Sequence, residues 1–242
     1  MYQIVEKLAN RNKSPKEHEG ATIVFLGDSI THGCFEVSFD GEKYHPVYDE
    51  EHSYTAIFRR MVKTLYPATQ LNIVNSGISG NTAGKGLARL ERDVLSYHPD
   101  MVVVCFGLND CNAGPDGIKT YETDLREILE RICEAGIDVI LMTPSATTDE
   151  VHYTLPTERE CEDAARLAAL TRTGVVDAYM QAARDVAASL DVAVVDCYAI
   201  WKSLIACGVS VNDILSNKIN HPTRELHFLF AYELMRHIFG HA

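Results

Sequence analysis

Short apolar segments alternate with longer amphipathic segments along most of the chain. Five runs of four to six residues are rich in valine and isoleucine and are not interrupted by regular polar positions. A continuous apolar run of this length is typical of a strand that is buried on both faces of a parallel sheet. The runs predict strands at residues 22–26, 71–74, 101–106, 139–142 and 192–195.

Between these runs, apolar residues recur at the spacing of a helix. Five such stripes lie at residues 54–65, 87–94, 118–132, 176–190 and 226–238. Thr82 is a candidate N-cap for the second stripe, and Gly136 is a candidate C-terminal stop for the third. The alternation of strand and helix predicts a doubly wound α/β sandwich, with no internal repeat and no linker.

The 242 residues are enough for one domain with a large core, and we predict that domain at residues 21–242, after an N-terminal extension at residues 1–20. Two stretches, 34–51 and 143–158, are expected to be irregular, and loops of that length are usually functional or mobile. The first carries Phe35, Phe39, Tyr44 and Tyr48 among charged residues. It either lines a pocket for a small polar ester or packs on the surface.

Composition narrows the possible partners. The formal net charge is −12, from 34 acidic and 22 basic residues, and such a surface repels nucleic acids and anionic membranes. The chain has seven cysteines, an odd number, and no CxxC pair. This pattern does not suggest a disulfide framework and favours a reducing compartment. Residues 1–16 lack the apolar core of a signal peptide, and no run is long enough to span a bilayer. We therefore expect a cytoplasmic protein whose partner is a small molecule; the oligomeric state stays open.

Candidate functional residues are expected directly after the predicted strands, because ligands of an open parallel sheet bind at the carboxyl ends of its strands. Ser29 follows the first strand, Gly80 the second and Asn109 the third, while His221 precedes the last helix. Each has a purely structural alternative: an N-cap, a glycine turn, a turn residue and the start of a helix. Together they bring a hydroxyl, a backbone N–H, an amide and an imidazole to one sheet edge, as acyl transfer requires.

The same four segments resemble the four conserved blocks of the GDSL (SGNH) hydrolase family. The matching segments are 27–31, 75–82, 107–110 and 221–222. The resemblance implies a three-layer α/β/α sandwich of the flavodoxin-like, SGNH type with a five-stranded parallel sheet. It also implies Ser29 as the nucleophile, His221 as the general base, and Gly80 N–H, the Asn109 side chain and Ser29 N–H as oxyanion donors.

One position departs from the family pattern. The family usually has an aspartate three residues before the histidine, and Lys218 stands there in this chain. Lysine has no acceptor atom for the far nitrogen of the imidazole. Three acceptors for that nitrogen remain: Asn217, Asp213 and a backbone carbonyl. We expect a neutral acceptor, either Asn217 or a carbonyl, and Asp213 is the next choice.

The resemblance implies a serine esterase that works through an acyl-enzyme, without a metal or a cofactor. We expect a short acyl group on a small polar or carbohydrate alcohol, and activity that rises near the ordinary histidine pKa of about 6.5. A thioesterase or lysophospholipase is the alternative among hydrolases. A non-catalytic ligand-binding module on a flavodoxin-like sheet is the alternative from another class.

Overall fold

The computed structural model of the chain describes residues 2–41 and 43–240. Its strands are β1 (Ala21–Gly27), β2 (Cys34–Asp40), β3 (Lys43–Tyr48), β4 (Leu71–Gly77), β5 (Met101–Cys105), β6 (Asp138–Met142) and β7 (Ala193–Val195). Five of them form a central parallel sheet in the order β4-β1-β5-β6-β7, and β2 and β3 form a separate antiparallel hairpin.

Ten α-helices lie in the described residues: α1 (Gln3–Lys13), α2 (Ser29–His32), α3 (Tyr54–Leu65), α4 (Ala83–Ala88), α5 (Leu90–Asp93), α6 (Ile118–Glu134), α7 (Glu158–Arg172), α8 (Val175–Ser189), α9 (Cys197–Ala206) and α10 (His227–Phe239). Helix α10 packs against α3 and α9, while α6 packs against α4 and α8. The two groups flank the sheet, so the predicted three-layer α/β/α sandwich is confirmed.

All five predicted strands form the sheet, and their apolar runs are buried for the reason the sequence indicated. Residues 101–105 of β5 are entirely buried, as are six of the seven residues of β1. Helices cover both faces of a parallel sheet, so a strand at its centre has no solvent-facing side. The predicted helical stripes are also helices, except that the second is divided between α4 and α5 at Arg89.

The expectation of an irregular stretch at 34–51 is wrong. Cys34–Asp40 and Lys43–Tyr48 pair as the β2–β3 hairpin, and a short 3-10 turn follows at Glu50–His52. Charged residues interleaved with aromatic ones hid the strand pattern. The stretch 143–158 has no regular element until α7 begins, yet residues 143–148 are buried. Sequence patterns also did not indicate α1, α2, α7 or α9.

The first residues pack on the rest of the fold. Ile4, Val5 and Leu8 of α1 are buried, and Lys7 forms an ion pair with Asp100 at 2.6 Å. No helix in the described ranges is long and apolar enough to cross a membrane. The seven cysteines are free thiols. A cytoplasmic location stays a prediction of the sequence.

The register of the parallel strands decides where the site forms. Gly27 at the end of β1 is level with Gly77 of β4 and Cys105 of β5. The chain runs from β1 to β4 on one side and then to β5 on the other, so strand order reverses at β1. The turns that follow these three strands therefore meet at one edge, which is the usual ligand position in such folds.

Gly27 is required by packing at this edge. A Cβ atom there would lie 2.1 Å from the Thr31 hydroxyl oxygen and 2.8 Å from the Cys105 carbonyl oxygen. We predict that Gly27→Ala lowers the free energy of unfolding by about 1–3 kcal/mol, the usual cost of overpacking a core. Urea unfolding measures the change. Glu127→Ala, on an exposed position of α6, is the control and should stay within about 0.5 kcal/mol of the wild type; an equal loss in both variants would contradict the packing argument.

Candidate active site

Ser29 is the first residue of the single-turn helix α2, directly after β1. The Asp28 carboxylate caps this turn by accepting a hydrogen bond from the Ile30 N–H at 3.0 Å. Gly33, with φ of 83°, ends the helix after a single turn. The Ser29 side chain is thereby held at the sheet edge, where its hydroxyl lies 2.9 Å from His221 Nε2.

His221 sits in a tight loop that its neighbour Asn217 organises. The Asn217 amide oxygen accepts hydrogen bonds from three successive backbone N–H groups, of Ile219, Asn220 and His221, at 2.9–3.1 Å. The Ser216 N–H donates to the His221 carbonyl at 2.7 Å and closes the loop. Because the backbone is fixed on both sides of His221, the ring has little freedom to leave the serine.

The far nitrogen of the ring meets a backbone carbonyl. His221 Nδ1 lies 3.2 Å from the Phe35 carbonyl oxygen, which can only accept, so the proton resides on Nδ1 and the Nε2 lone pair faces Ser29. Lys218, in the usual aspartate position, donates instead to the Asn212 carbonyl at 2.9 Å. Asp213 is exposed. Of the three acceptors that the sequence left open, the structure has the backbone carbonyl.

Burial changes the acid–base properties of the site. Removal from water lowers the pKa of His221 to about 4, although the Phe35 carbonyl and the Glu36 carboxylate act in the opposite direction. Burial raises the pKa of Asp28 to about 7 and that of Asp110 to about 6. The imidazole is therefore neutral at physiological pH, which is the form that accepts a proton.

Two further turns bring hydrogen-bond donors to the serine. Gly80 follows β4 with φ of 74°, a backbone conformation that glycine adopts readily. Asn109 follows β5, and its amide nitrogen donates to the Asn81 carbonyl at 2.9 Å and to Asp28 Oδ2 at 3.3 Å. Both partners are acceptors, so the nitrogen of the Asn109 amide, rather than its oxygen, faces Asp28 and the Ser29 turn.

The four residues that the sequence singled out share one cavity of about 210 Å³. Ser29, Gly80, Asn109 and His221 all line it. The hairpin supplies one apolar part of the wall, and two helical segments supply a polar rim. The hairpin lining includes Val37, Phe39 and Tyr44, and the rim includes Asn112, Asp163 and Arg166.

The hairpin aromatics have separate positions. Phe39 and Tyr44 line the cavity, as one of the two alternatives for this stretch anticipated. Phe35 is fully buried instead, and Tyr48 is half-exposed with its ring 4.3 Å from that of His32. The carbonyl of Phe35 was not identified from the sequence, because a backbone oxygen has no residue signature. The only sequence signal that pointed to such an acceptor was the absence of the usual aspartate before His221.

A larger groove of about 1040 Å³ lies along α1, near the amino ends of β5 and β6. Its lining contains Lys7, His98 and Asp100 but no serine, threonine or cysteine among the residues the structure describes. It therefore offers no hydroxyl or thiol nucleophile for acyl transfer. Within 2–41 and 43–240, no group of three or more histidine, cysteine, aspartate or glutamate residues is arranged to hold a metal ion.

The fold and the site define an α/β/α sandwich of the SGNH type, with a serine–histidine pair where strand order reverses. The sequence profile of the GDSL-like lipase/acylhydrolase family matches residues 25–227, and the chain belongs to that family of ester-bond hydrolases.

Comparisons with known proteins agree with this membership. An acetylxylan esterase from Geobacillus stearothermophilus is 32% identical over 134 residues, which cover 52% of this chain and 60% of that protein. An arylesterase from Vibrio mimicus is 34% identical over 72 residues, 30% of this chain and 36% of its own. The matches thus span less than two thirds of these relatives.

Solved structures show the same fold over almost the whole chain. A mutant of the Geobacillus stearothermophilus acetylxylan esterase superposes with a TM-score of 0.68 at 24% identity, covering 91% of this chain and 95% of that one. A hydrolase from the metagenome of Lake Arreo, Spain, superposes with a TM-score of 0.65 at 26% identity, covering 90% and 94%. At 24% identity, the likeness to the first of these structures concerns the fold alone.

The lowered pKa of His221 leads to a prediction about pH. If the neutral ring is the base, activity is lost only as pH falls through that pKa. We expect kcat/KM for p-nitrophenyl acetate to be flat down to about pH 6 and to halve near pH 4, well below the 6.5 of an unperturbed histidine. The measurement is a pH profile under conditions where the chemical step limits the rate.

Asp28 supplies the control, because its pKa of about 7 falls inside the flat region. An inflection near neutral pH that disappears in Asp28→Asn belongs to that carboxyl group. An inflection near 6.5 that persists in Asp28→Asn would contradict the lowered pKa of His221.

Proposed function

We propose that the protein is a serine esterase that releases a short acyl group, foremost acetyl, from a hydroxyl of a small polar or carbohydrate alcohol. The observation that carries the proposal is the 2.9 Å contact between Ser29 Oγ and a buried His221 Nε2 at the wall of a small cavity. A hydroxyl in this arrangement loses its proton to the imidazole as it attacks a carbonyl carbon.

The reaction has two halves. Ser29 Oγ forms a bond to the acyl carbon while its proton passes to His221 Nε2; the bond to the alcohol oxygen then breaks, and the alcohol leaves with that proton. A water molecule next gives a proton to His221 and attacks the acyl carbon. The bond to Ser29 breaks, the serine regains its proton, and the carboxylic acid is released.

The negative oxygen of each tetrahedral intermediate needs donors that are in place beforehand. The Ser29 and Gly80 backbone N–H groups and the Asn109 amide nitrogen are the candidates. Their support is positional: they follow three strands that end at the same level, and all three residues line the cavity. The two backbone donors are fixed and do not have to reorganise as charge develops. Asn109 would exchange its longer contact, 3.3 Å to Asp28 Oδ2, for one with the oxyanion.

The size and polarity of the cavity favour a short acyl group on a polar alcohol. At about 210 Å³ the cavity is smaller than the roughly 300–1,000 Å³ of typical small-molecule sites, which favours a short acyl group over a long one. Arg166 donates to Asp163 at 2.7 Å and also to the Asn112 side chain, forming a hydrogen-bonded rim. Such a rim can form hydrogen bonds with the hydroxyl groups of an alcohol. One of the relatives is named as an acetylxylan esterase, an enzyme for an acetylated carbohydrate.

The oxyanion role of Asn109 can be tested directly. Asn109→Ala should lower kcat by ~10²–10³-fold with little change in KM, the usual result of losing one transition-state donor. Steady-state kinetics with p-nitrophenyl acetate separate the two constants. Asn112→Ala, on the exposed rim, is the comparison and should affect KM more than kcat. A loss in Asn109→Ala confined to KM would mean that Asn109 binds substrate without favouring the transition state.

The function itself is tested by substrate selection and by the nucleophile. We expect turnover to fall steeply from acetyl to octanoyl p-nitrophenyl esters, and acetate release from acetylated xylo-oligosaccharides. Ser29→Ala should retain the fold by circular dichroism, lose nearly all turnover and lose labelling by a fluorophosphonate.

The alternatives predict other outcomes. Preference for long acyl or acyl-thioester substrates would favour a lysophospholipase or thioesterase. Labelling of another serine in the wild type would assign the nucleophile elsewhere. No turnover of any ester, together with a bound chromophore in the purified protein, would favour the non-catalytic binding module.

A further inference from the structure

The acceptor for His221 is a single carbonyl at an irregular point of the β2–β3 hairpin. Cys34 pairs with Tyr48 and Glu36 pairs with Val47, so Phe35 is an extra residue between two ladder positions. A β-bulge of this kind redirects the backbone and leaves polar groups outside the ladder. Here the redirected carbonyl lies 3.2 Å from His221 Nδ1. The orientation of the base therefore depends on how firmly the bulge is held.

Arg224 holds the bulge from the segment that carries the histidine. Its guanidinium donates to both carboxylate oxygens of Glu36, at 2.6 and 3.0 Å, and its Nε donates to Asp49 at 2.8 Å. The same guanidinium lies over the Phe35 ring, 4.4 Å from its centroid. Glu36 follows the bulge and Asp49 follows β3. Arg224, three residues after His221, therefore contacts both strands of the hairpin.

The residue that follows the acceptor carbonyl carries a negative charge. Glu36 and Asp49 share one cation, Arg224, so these three side chains have a net charge of −1. A carbonyl can orient an imidazole, but it has no charge with which to stabilise the imidazolium that forms during the reaction, a role of the aspartate in a complete triad. Burial lowers the pKa of His221, and Glu36 is a charged group that acts against this lowering.

We propose that the role of the missing triad carboxylate is divided between two consecutive residues: the Phe35 carbonyl orients His221, and the Glu36 carboxylate, positioned by Arg224, stabilises the protonated ring. Glu36 and Arg224 are positioning residues, since neither contacts the reacting atoms. The inference rests on the proposed function, because it assigns the protonated ring a place in catalysis.

Glu36→Gln is the primary test, since glutamine keeps the length and an acceptor for Arg224 but removes the charge. We expect kcat for p-nitrophenyl acetate to fall ~10-fold with KM within ~2-fold, a part of the usual contribution of a general base. Asp213→Asn is the matched control: it removes one negative charge from an exposed position eight residues before His221 and should leave both constants unchanged.

Arg224 tests the positioning. Arg224→Met should lower kcat at least as much as Glu36→Gln, because the bulge loses its anchor. Arg224→Lys should recover part of that loss, since an ammonium group keeps the charge but not the two-point contact with Glu36. All rates are expressed per active site titrated with a fluorophosphonate, and melting temperatures are measured in parallel. If the variants melt earlier while kcat per titrated site is unchanged, the cluster is only structural and the proposal is wrong.

A nuclear magnetic resonance titration of His221 distinguishes this proposal from the proposed function. The charged or titratable groups around the ring are Glu36 of the hairpin, Arg224 of the same segment and the buried His227 of α10. We expect a neutral, Nδ1-protonated ring at pH 7, and a lower pKa of His221 in Glu36→Gln but not in Asp213→Asn. This result stands even if no ester is hydrolysed. An unchanged His221 pKa in Glu36→Gln would overturn the proposal whether or not the enzyme is active.

Discussion

The common level at which β1, β4 and β5 end is the constraint on which the site depends. Parallel pairing sets Gly27 beside Gly77 and Cys105, so the turns carrying Ser29, Gly80 and Asn109 begin at one height. Arg89 reinforces this edge from a buried position, donating to the carbonyls of Gly27 and Ser76. Its deviation from helical geometry, which separates α4 from α5, accompanies those two hydrogen bonds.

The position of His221, in contrast, depends on the hairpin and not on the sheet. His221 approaches Ser29 from a loop whose backbone Asn217 organises, and its far nitrogen is held by the bulge at Phe35. A carboxylate in that position would have to be desolvated together with the ring. A carbonyl avoids that cost but leaves the buried imidazole with a low pKa, which keeps the ring neutral at physiological pH.

Buried Asp28 links the turn that carries Ser29 to the Asn109 side chain. One carboxylate oxygen caps the serine turn through Ile30, and the other accepts from the Asn109 amide. Its environment raises the pKa of Asp28 to about 7, mainly through loss of solvent. The residue before the serine thus contacts both the turn that carries Ser29 and the Asn109 amide.

The sequence by itself determined the five strands, most of the large helices and the four residues that share the cavity, because each depends on local periodicity or on its position after a strand. It also showed that the usual aspartate was absent, since Lys218 is visible in the chain. It did not determine the β2–β3 hairpin, whose charges obscure the alternation, nor the acceptor for His221. That acceptor is a backbone atom 186 residues away, brought there by a bulge and by Arg224. Only the tertiary structure could decide it, because a carbonyl is common to every residue and its direction depends on the fold.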